Sequence, residues 1–150
     1  MKMLTHIVFG AGAAAFFSPE LAVDQRLLVA AVLSLLVNPV IDELGHVVRK
    51  GFIARSPITH SVFTAPLWGA GAGYILGLAA SELGPITLSL WTVLIFAGVV
   101  VALSHLFLDA LTERGVYFLT RRIALAHFRT GNMLLNGAFL IAGLILIVTL

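Results

Sequence analysis

Residues 104–115, with the sequence SHLFLDALTERG, close a long apolar run that begins near residue 85. A run of this length and composition predicts a membrane-spanning helix. His105 and Asp109 lie four residues apart near its end, a spacing that places both side chains on one face of a helix. Because ionisable groups are costly at membrane depth, this pair indicates a functional site.

The composition of the chain indicates a small membrane protein. Its 150 residues are enough for a single membrane-embedded domain, residues 1–150. Hydrophobic residues make up 60% of the chain and charged residues only 11%, with a mean hydropathy of +1.07. Soluble domains are about 25% charged. The absence of cysteine excludes disulfides and thiolate ligands, so a metal site must use histidine and oxygen ligands.

Five apolar segments predict an all-α fold, a polytopic membrane bundle of about five transmembrane helices. The segments cover residues 3–17, 27–41, 62–80, 86–111 and 133–150. The first two are short against the roughly 20 residues that a crossing needs, so one of them could be re-entrant. Ser56 followed by Pro57 predicts a helix start shortly before His60. Asn132 is a candidate N-cap for the fifth helix.

The basic residues predict the orientation of this bundle. With the N-terminus in the cytoplasm, eight of the nine lie on the cytoplasmic side: Lys2, Arg49, Lys50, Arg55, Arg114, Arg121, Arg122 and Arg129. Only Arg26 lies outside. This distribution follows the positive-inside rule and predicts a multi-pass protein of the cell (inner, cytoplasmic) membrane. We expect membrane lipid as a partner and no nucleic acid.

In this topology every helix brings a polar residue to the same leaflet, and six of these residues are candidate metal ligands. They are His6, Asp42, His46, His60, His105 and Asp109. Two of the pairs, Asp42–His46 and His105–Asp109, have the four-residue spacing that presents both ligands from one helical face. Six ligands could fill one octahedral site or two open sites. The donor set suits zinc, and also manganese or iron.

Other polar residues near this cluster are candidates for catalysis and substrate binding. Glu43 and Glu113 could act as the general base, although either could be a solvated helix end. Candidates for binding a substrate, in particular its phosphate, are Arg55, Arg114, Arg129, Asn132 and Asn136. His127, within the basic segment 121–129, is more typical of an interfacial helix or loop at headgroup level than of a metal ligand.

Three motifs together resemble the YdjM-type family, described as inner-membrane-associated metal-dependent hydrolases. They are Thr5-His6, residues 55–61 (RSPITHS) and residues 104–115. Residues 41–46 (IDELGH) and 124–129 (ALAHFR) look closer to an archaeal membrane branch of that family. The resemblance implies that His6, His60, His105 and Asp109 are metal ligands. The family tends to have Asp-x-Asp-His in the second helix, whereas here Glu43 follows Asp42 and the histidine is displaced to His46.

That family is distantly similar to zinc-dependent phospholipase C and related nucleases, which implies phosphoester hydrolysis. The leading hypothesis is therefore a membrane-bound hydrolase that uses one or two divalent metal ions, on a lipid headgroup or a small phosphorylated (nucleotide) substrate. The alternative is a transporter or channel for a metal ion or proton through the same His/Asp cluster. A third interpretation is a haem-binding or structural membrane subunit, in which the carboxylates would have no clear role.

Overall fold

The computed structural model describes residues 1–49 and 52–150 and has ten secondary-structure elements in the described part. Six are helices: α1 (Met3–Phe16), α2 (Val23–Gly45), α3 (Pro57–His60), α4 (Ala65–Ser81), α5 (Leu88–Ala110) and α6 (Met133–Val148). Four are strands: β1 (His46–Arg49), β2 (Phe52–Arg55), β3 (Val116–Phe118) and β4 (Arg121–Ile123). The chain is therefore mostly helical, as predicted, and its five long helices fall on the five apolar segments.

The structure differs from the prediction at the start of the third segment, where a short helix, α3, precedes α4 and is separate from it. Ser56 caps α3 as expected, its side chain accepting a hydrogen bond of 3.1 Å from the backbone N–H of Ile58. The chain then leaves the helix at Ser61, where Val62 donates its backbone N–H to the carbonyl of Tyr117 at 3.0 Å. This pairing with β3 fixes His60 at the end of α3, apart from α4.

The helices α1, α2 and α4 pack around α5, and α6 packs against α1. The core between α2 and α5 contains Leu33, Val37, Ile41 and Val101, all fully or almost fully buried. Between α4 and α5 the backbones touch, so that a Cβ atom added at Gly98 would collide with the backbone of α4. Such close approach through small residues is typical of helix packing in membranes and holds the α5 backbone firmly.

Two short antiparallel hairpins, which the all-α prediction did not include, lie at the end of the bundle where α2 and α5 finish. In the first, β1 pairs with β2 and His46 lies opposite Arg55. In the second, β3 pairs with β4. The segment 121–129 is thus a strand followed by turns, with His127 in a left-handed conformation (φ 53°), which agrees with the loop alternative. Lys50, one of the basic residues used for the orientation, lies outside the described residues.

Two of the described helices, α2 and α5, are long and apolar enough to cross a membrane by length and composition, with hydropathies of 1.9 and 2.2. Buried core helices of soluble proteins pass the same test. The helices α1, α4 and α6 have 14, 17 and 16 residues, short of the roughly 20 that a straight crossing needs. The arrangement with five crossings, and the cytoplasmic N-terminus, stay predictions.

Candidate metal centre

Four of the six predicted ligands converge at one point inside the bundle. Asp42 comes from α2, His60 from α3, and His105 and Asp109 from α5. One nitrogen or oxygen atom from each lies within 4.8 Å of the others. Three of the side chains are fully buried, and Asp42 is 16% exposed. The i,i+4 spacing of His105 and Asp109 thus has the predicted effect, since both reach the same point from one face of α5.

The distances within this group match those of a small coordination sphere. Nε2 of His60 lies 3.4 Å from Oδ1 of Asp42 and 3.5 Å from Oδ2 of Asp109. Nε2 of His105 lies 3.5 Å and 3.2 Å from the same two oxygens. Four ligands placed tetrahedrally at about 2.0–2.1 Å from a metal ion are about 3.3–3.4 Å apart. The four nitrogen–oxygen distances are therefore close to those around a bound ion, and the remaining ligand pairs lie within 4.8 Å.

Several polar atoms of this group are buried without a hydrogen-bond partner among the described residues. They include Nε2 of His60, Nε2 of His105 and Oδ2 of Asp109. Buried polar atoms are nearly always hydrogen-bonded, because leaving one unpaired costs about 1–3 kcal/mol. A cation bound among these three atoms would satisfy all of them at once. The residues present thus fit a divalent metal ion.

Hydrogen bonds behind the two imidazoles aim them at this point. Nδ1 of His105 lies 2.8 Å from Oδ1 of Asn38, whose amide nitrogen donates to Ser34. Because that amide nitrogen already donates to Ser34, Oδ1 of Asn38 accepts a hydrogen bond from the N–H group at Nδ1 of His105, which leaves the Nε2 lone pair free. Thr59 lies in the corresponding position beside His60, with Oγ1 2.9 Å from Nδ1. Partners of this kind fix the tautomer and orientation of metal-binding histidines.

The protonation of His60 also favours a ligand role. Burial lowers the pKa of His60 below its ordinary value, and this effect outweighs the opposing effect of its contact with Asp42. The imidazole is then neutral at neutral pH. Only a neutral imidazole has a lone pair to donate to a metal ion.

The second oxygen of Asp109 is occupied by basic groups. Oδ1 lies 2.6 Å from Nη2 of Arg55, 2.8 Å from the amino group of Met1 and 3.2 Å from Nε2 of His6. Arg55 is itself buried and donates from Nη1 to the carbonyl of Gly115 at 2.8 Å. Burial lowers the pKa of Arg55, but a guanidinium keeps its charge in proteins. Asp109 thus has one oxygen, Oδ2, left for a metal ion.

The other two predicted ligands lie beside the four-residue group and outside it. The buried ring of His6 stacks on that of His105 with 4.0 Å between centroids. His46, 34% exposed, lies beside Asp42, with its Nε2 3.7 Å from Oδ1 of Asp42. The cluster is therefore closed to solvent at His6 and open to solvent at His46.

The predicted catalytic and substrate-binding residues are dispersed. Glu43 is exposed on α2. Four of the others line one cavity of about 400 Å³, together with Thr130 and Gly131: Glu113, Arg114, Arg129 and Asn132. Asn132 also caps α6 as expected, by accepting the N–H of Leu135 at 3.0 Å. A larger apolar cavity of about 580 Å³ lies between α2, α4 and α5 and includes none of the predicted site residues.

Asn136 has a structural position, since hydrogen bonds occupy both ends of its amide. Its oxygen accepts from the hydroxyl of Thr5 at 2.8 Å and from the backbone of Lys2 at 2.9 Å. Its nitrogen donates to the carbonyls of Thr130 and Asn132. Asn136 thereby joins a wall of the 400 Å³ cavity to the start of α1, whose residues contact Asp109.

A comparison with known families gives one match. The model of a family described as "Protein of unknown function (DUF1286)" matches residues 1–108, which include Asp42, His60 and His105. No curated protein and no solved structure matches the chain. The similarity to YdjM-type hydrolases and to zinc-dependent phospholipase C therefore stays a prediction.

Proposed function

The chain belongs to the DUF1286 family, and we propose that it is a membrane-bound, metal-dependent hydrolase of phosphoesters. The observation that supports this most strongly is the group of buried, unpartnered ligand atoms on His60, His105 and Asp109, with Asp42 at its edge. If these residues had only a structural role, the free energy cost of burying their unpaired polar atoms would be unexplained.

The donor set indicates the kind of metal ion. Two imidazole nitrogens and two carboxylate oxygens suit zinc, with manganese or iron as the other candidates, and exclude a site built for soft ions. When bound, such an ion supplies Lewis acidity, which lowers the pKa of a coordinated water and polarises a phosphoryl oxygen. We propose a single ion here, because Arg55 occupies the other oxygen of Asp109 and would repel a second cation.

The 400 Å³ cavity is our candidate for the position of the substrate phosphate. Arg114 and Arg129 line it and could neutralise the charge of a phosphodiester. Glu113 lines the same cavity and is one candidate for the general base. Glu43 is the other candidate, since it adjoins the ligand Asp42. Asn132 and Asn136 would then shape the cavity wall.

The surface of the bundle supports a location in the membrane. Large apolar side chains are exposed on several helices, including Leu28, Leu67, Ile75, Ile141 and Leu134. Large exposed apolar patches are rare on soluble monomers and mark contacts with a membrane or with other proteins. With the basic residues at the end that contains the cluster, we propose a multi-pass protein of the cytoplasmic membrane whose site faces the cytoplasm. A lipid phosphate or a membrane-proximal nucleotide would reach such a site.

The transport alternative has less support from the polar residues of α2. A hydrogen-bonded chain leads from His105 through Asn38 to Ser34, two turns away from Asp42. Beyond Ser34, the buried residues of α2 are Leu33 and Ala30, which offer no side-chain ligand to an ion. A chain of polar side chains that ends within the bundle favours hydrolysis over transport of an ion.

The test is a hydrolysis assay on purified protein loaded with zinc, manganese or iron. The substrates are a chromogenic phosphodiester, a chromogenic phosphomonoester and phospholipid vesicles. We expect metal-dependent turnover that His105→Ala abolishes, and a KM that Arg129→Gln raises. The control is Arg121→Gln, which removes an exposed arginine outside the cavity. No turnover of any of these substrates by metal-loaded protein would reject the phosphoesterase, whereas metal flux into proteoliposomes would support the alternative.

A further inference from the structure

The described residues of the metal cluster reach solvent on one side only. His60, His105 and Asp109 are fully buried, and His6 is almost so. By contrast, the side chain of Asp42 is 16% exposed and that of His46 is 34% exposed. Because the exposed residues of the cluster are Asp42 and His46, an ion from solution approaches the centre past these two side chains. It must shed most of its water on the way into the buried site.

The carboxylate of Asp42 connects the exposed histidine to the buried ones. Its Oδ1 lies 3.7 Å from Nε2 of His46, 3.4 Å from Nε2 of His60 and 3.5 Å from Nε2 of His105. No other oxygen of the described cluster lies within 4.0 Å of all three imidazoles. One ligand atom could therefore stay bound to an ion while the ion exchanges one imidazole for another.

The geometry points to an uptake site for a divalent metal ion formed by His46 and Asp42. An ion from solution binds first between Nε2 of His46 and Oδ1 of Asp42, with water completing its coordination. It then exchanges His46 and its waters for His60, His105 and Asp109, while Asp42 remains bound throughout. This inference rests on the metal site proposed above, and it assigns His46 a part in loading rather than in the final coordination sphere.

The positions of the two rings support such a transfer. His46 follows α2 directly, at the first position of β1, and its ring stacks loosely on that of His60 with 5.9 Å between centroids. The two imidazoles thus lie next to each other on the path inwards. The i,i+4 spacing of Asp42 and His46 keeps the outer pair on one face near the end of α2.

An uptake site makes a kinetic prediction that a resident ligand does not. A residue that stabilises only the passage of the ion speeds binding and release by the same factor and leaves the Kd unchanged. A residue that ligates the bound ion instead slows release and lowers the Kd. Stopped-flow uptake of Co²⁺, followed by its visible absorption, and release to a chelator measure the two rates separately.

The experiment compares substitutions of two exposed histidines, His46 and His127, each made in the full chain. His46→Asn removes the exposed imidazole, and His46→Glu replaces it with a carboxylate that can still bind an ion. The control is His127→Asn, which removes another exposed histidine at a left-handed position that asparagine tolerates. Melting curves of the metal-free proteins verify that each variant is folded.

We expect His46→Asn to slow Co²⁺ uptake and release alike, by roughly tenfold, the scale of effect that a single supporting residue has at a metal site. The Kd and the absorption spectrum should stay as in the wild type, and His46→Glu should restore most of the rate. A weakened Kd with unchanged uptake would overturn the inference, as would rates equal to those of His127→Asn. If the wild type bound no Co²⁺ at all, the metal site itself would be rejected.

Discussion

Gly45, the last residue of α2, lies against the segment that carries His60, and its replacement tests the packing behind the metal centre. A Cβ atom added at Gly45 would collide with Oγ1 of Thr59 and would lie 2.5 Å from both Nδ1 and Cε1 of the His60 ring. Gly45→Ala can therefore be accommodated only if Thr59 and His60 move outwards. That movement would separate the His60 ring from the other ligands.

The expected loss of metal affinity follows from the strain that the added methyl group causes. Forcing an additional methyl group into a packed position costs typically about 1–3 kcal/mol. If the protein relieves this strain by displacing His60, metal binding loses about that free energy, a decrease in affinity of roughly 5- to 150-fold. Helix propensity alone would predict that Gly45→Ala stabilises the protein, because alanine is more favourable than glycine within a helix by about 0.5–1 kcal/mol.

The assay is competition for Zn²⁺ against a chelator of known affinity, with thermal melting of the metal-free protein alongside. Gly71→Ala is the matched control, since a Cβ atom at this α4 glycine would meet nothing within 4 Å. We expect Gly71→Ala to bind zinc like the wild type and to melt at the same or a higher temperature. If Gly45→Ala also bound zinc with wild-type affinity, the placement of His60 described above would be wrong.

Three further substitutions test the groups around the ligands. Thr59→Val removes the hydroxyl beside Nδ1 of His60 and should weaken zinc binding by about 10- to 100-fold, whereas Thr59→Ser should not. Asn38→Leu should weaken it on the same scale, measured by the same competition. Arg55→Met leaves the buried Asp109 without its guanidinium and should destabilise the metal-free protein by about 3–5 kcal/mol in denaturant titrations. Bound zinc should reduce that loss, because the ion neutralises the same carboxylate.

The sequence predicted the long helices well because their signals are strong. Each apolar segment spans at least four helical turns, and its ends contain polar or helix-breaking residues that stop the helix. The hairpins were missed because strands of three and four residues are too short for a periodic pattern. The break between α3 and α4 was missed because it depends on pairing with Tyr117, which lies 55 residues after Val62 in the chain.

The convergence of ligands could also be predicted, because alternate helix ends meet at one side of a bundle. What the sequence could not separate was the four-residue group from its neighbours His6 and His46, since that depends on ring positions within a few ångströms. Arg55 is a predicted substrate ligand because it lies beside the cluster in the sequence-based topology, and the structure places it inside the bundle, paired with Asp109.

The residues that orient the ligands had weaker signals. Asn38 lies four residues before Asp42 in an otherwise apolar stretch, so its position on the same helical face could have marked it. Thr59 had no such signal, because a threonine next to a histidine is common in any helix. The contact of Met1 with Asp109 likewise depends on the packing of α1 beside α5.

The central claim is that Asp42, His60, His105 and Asp109 bind a divalent metal ion, and metal analysis tests it most directly. Purified wild-type protein would be compared with a His60→Ala/His105→Ala variant by inductively coupled plasma mass spectrometry, after both are shown to be folded. We expect about one equivalent of zinc, manganese or iron in the wild type, as for a single tetrahedral site, and none in the variant. A wild type that holds no metal after reconstitution, or a folded variant that keeps its full equivalent, would contradict it.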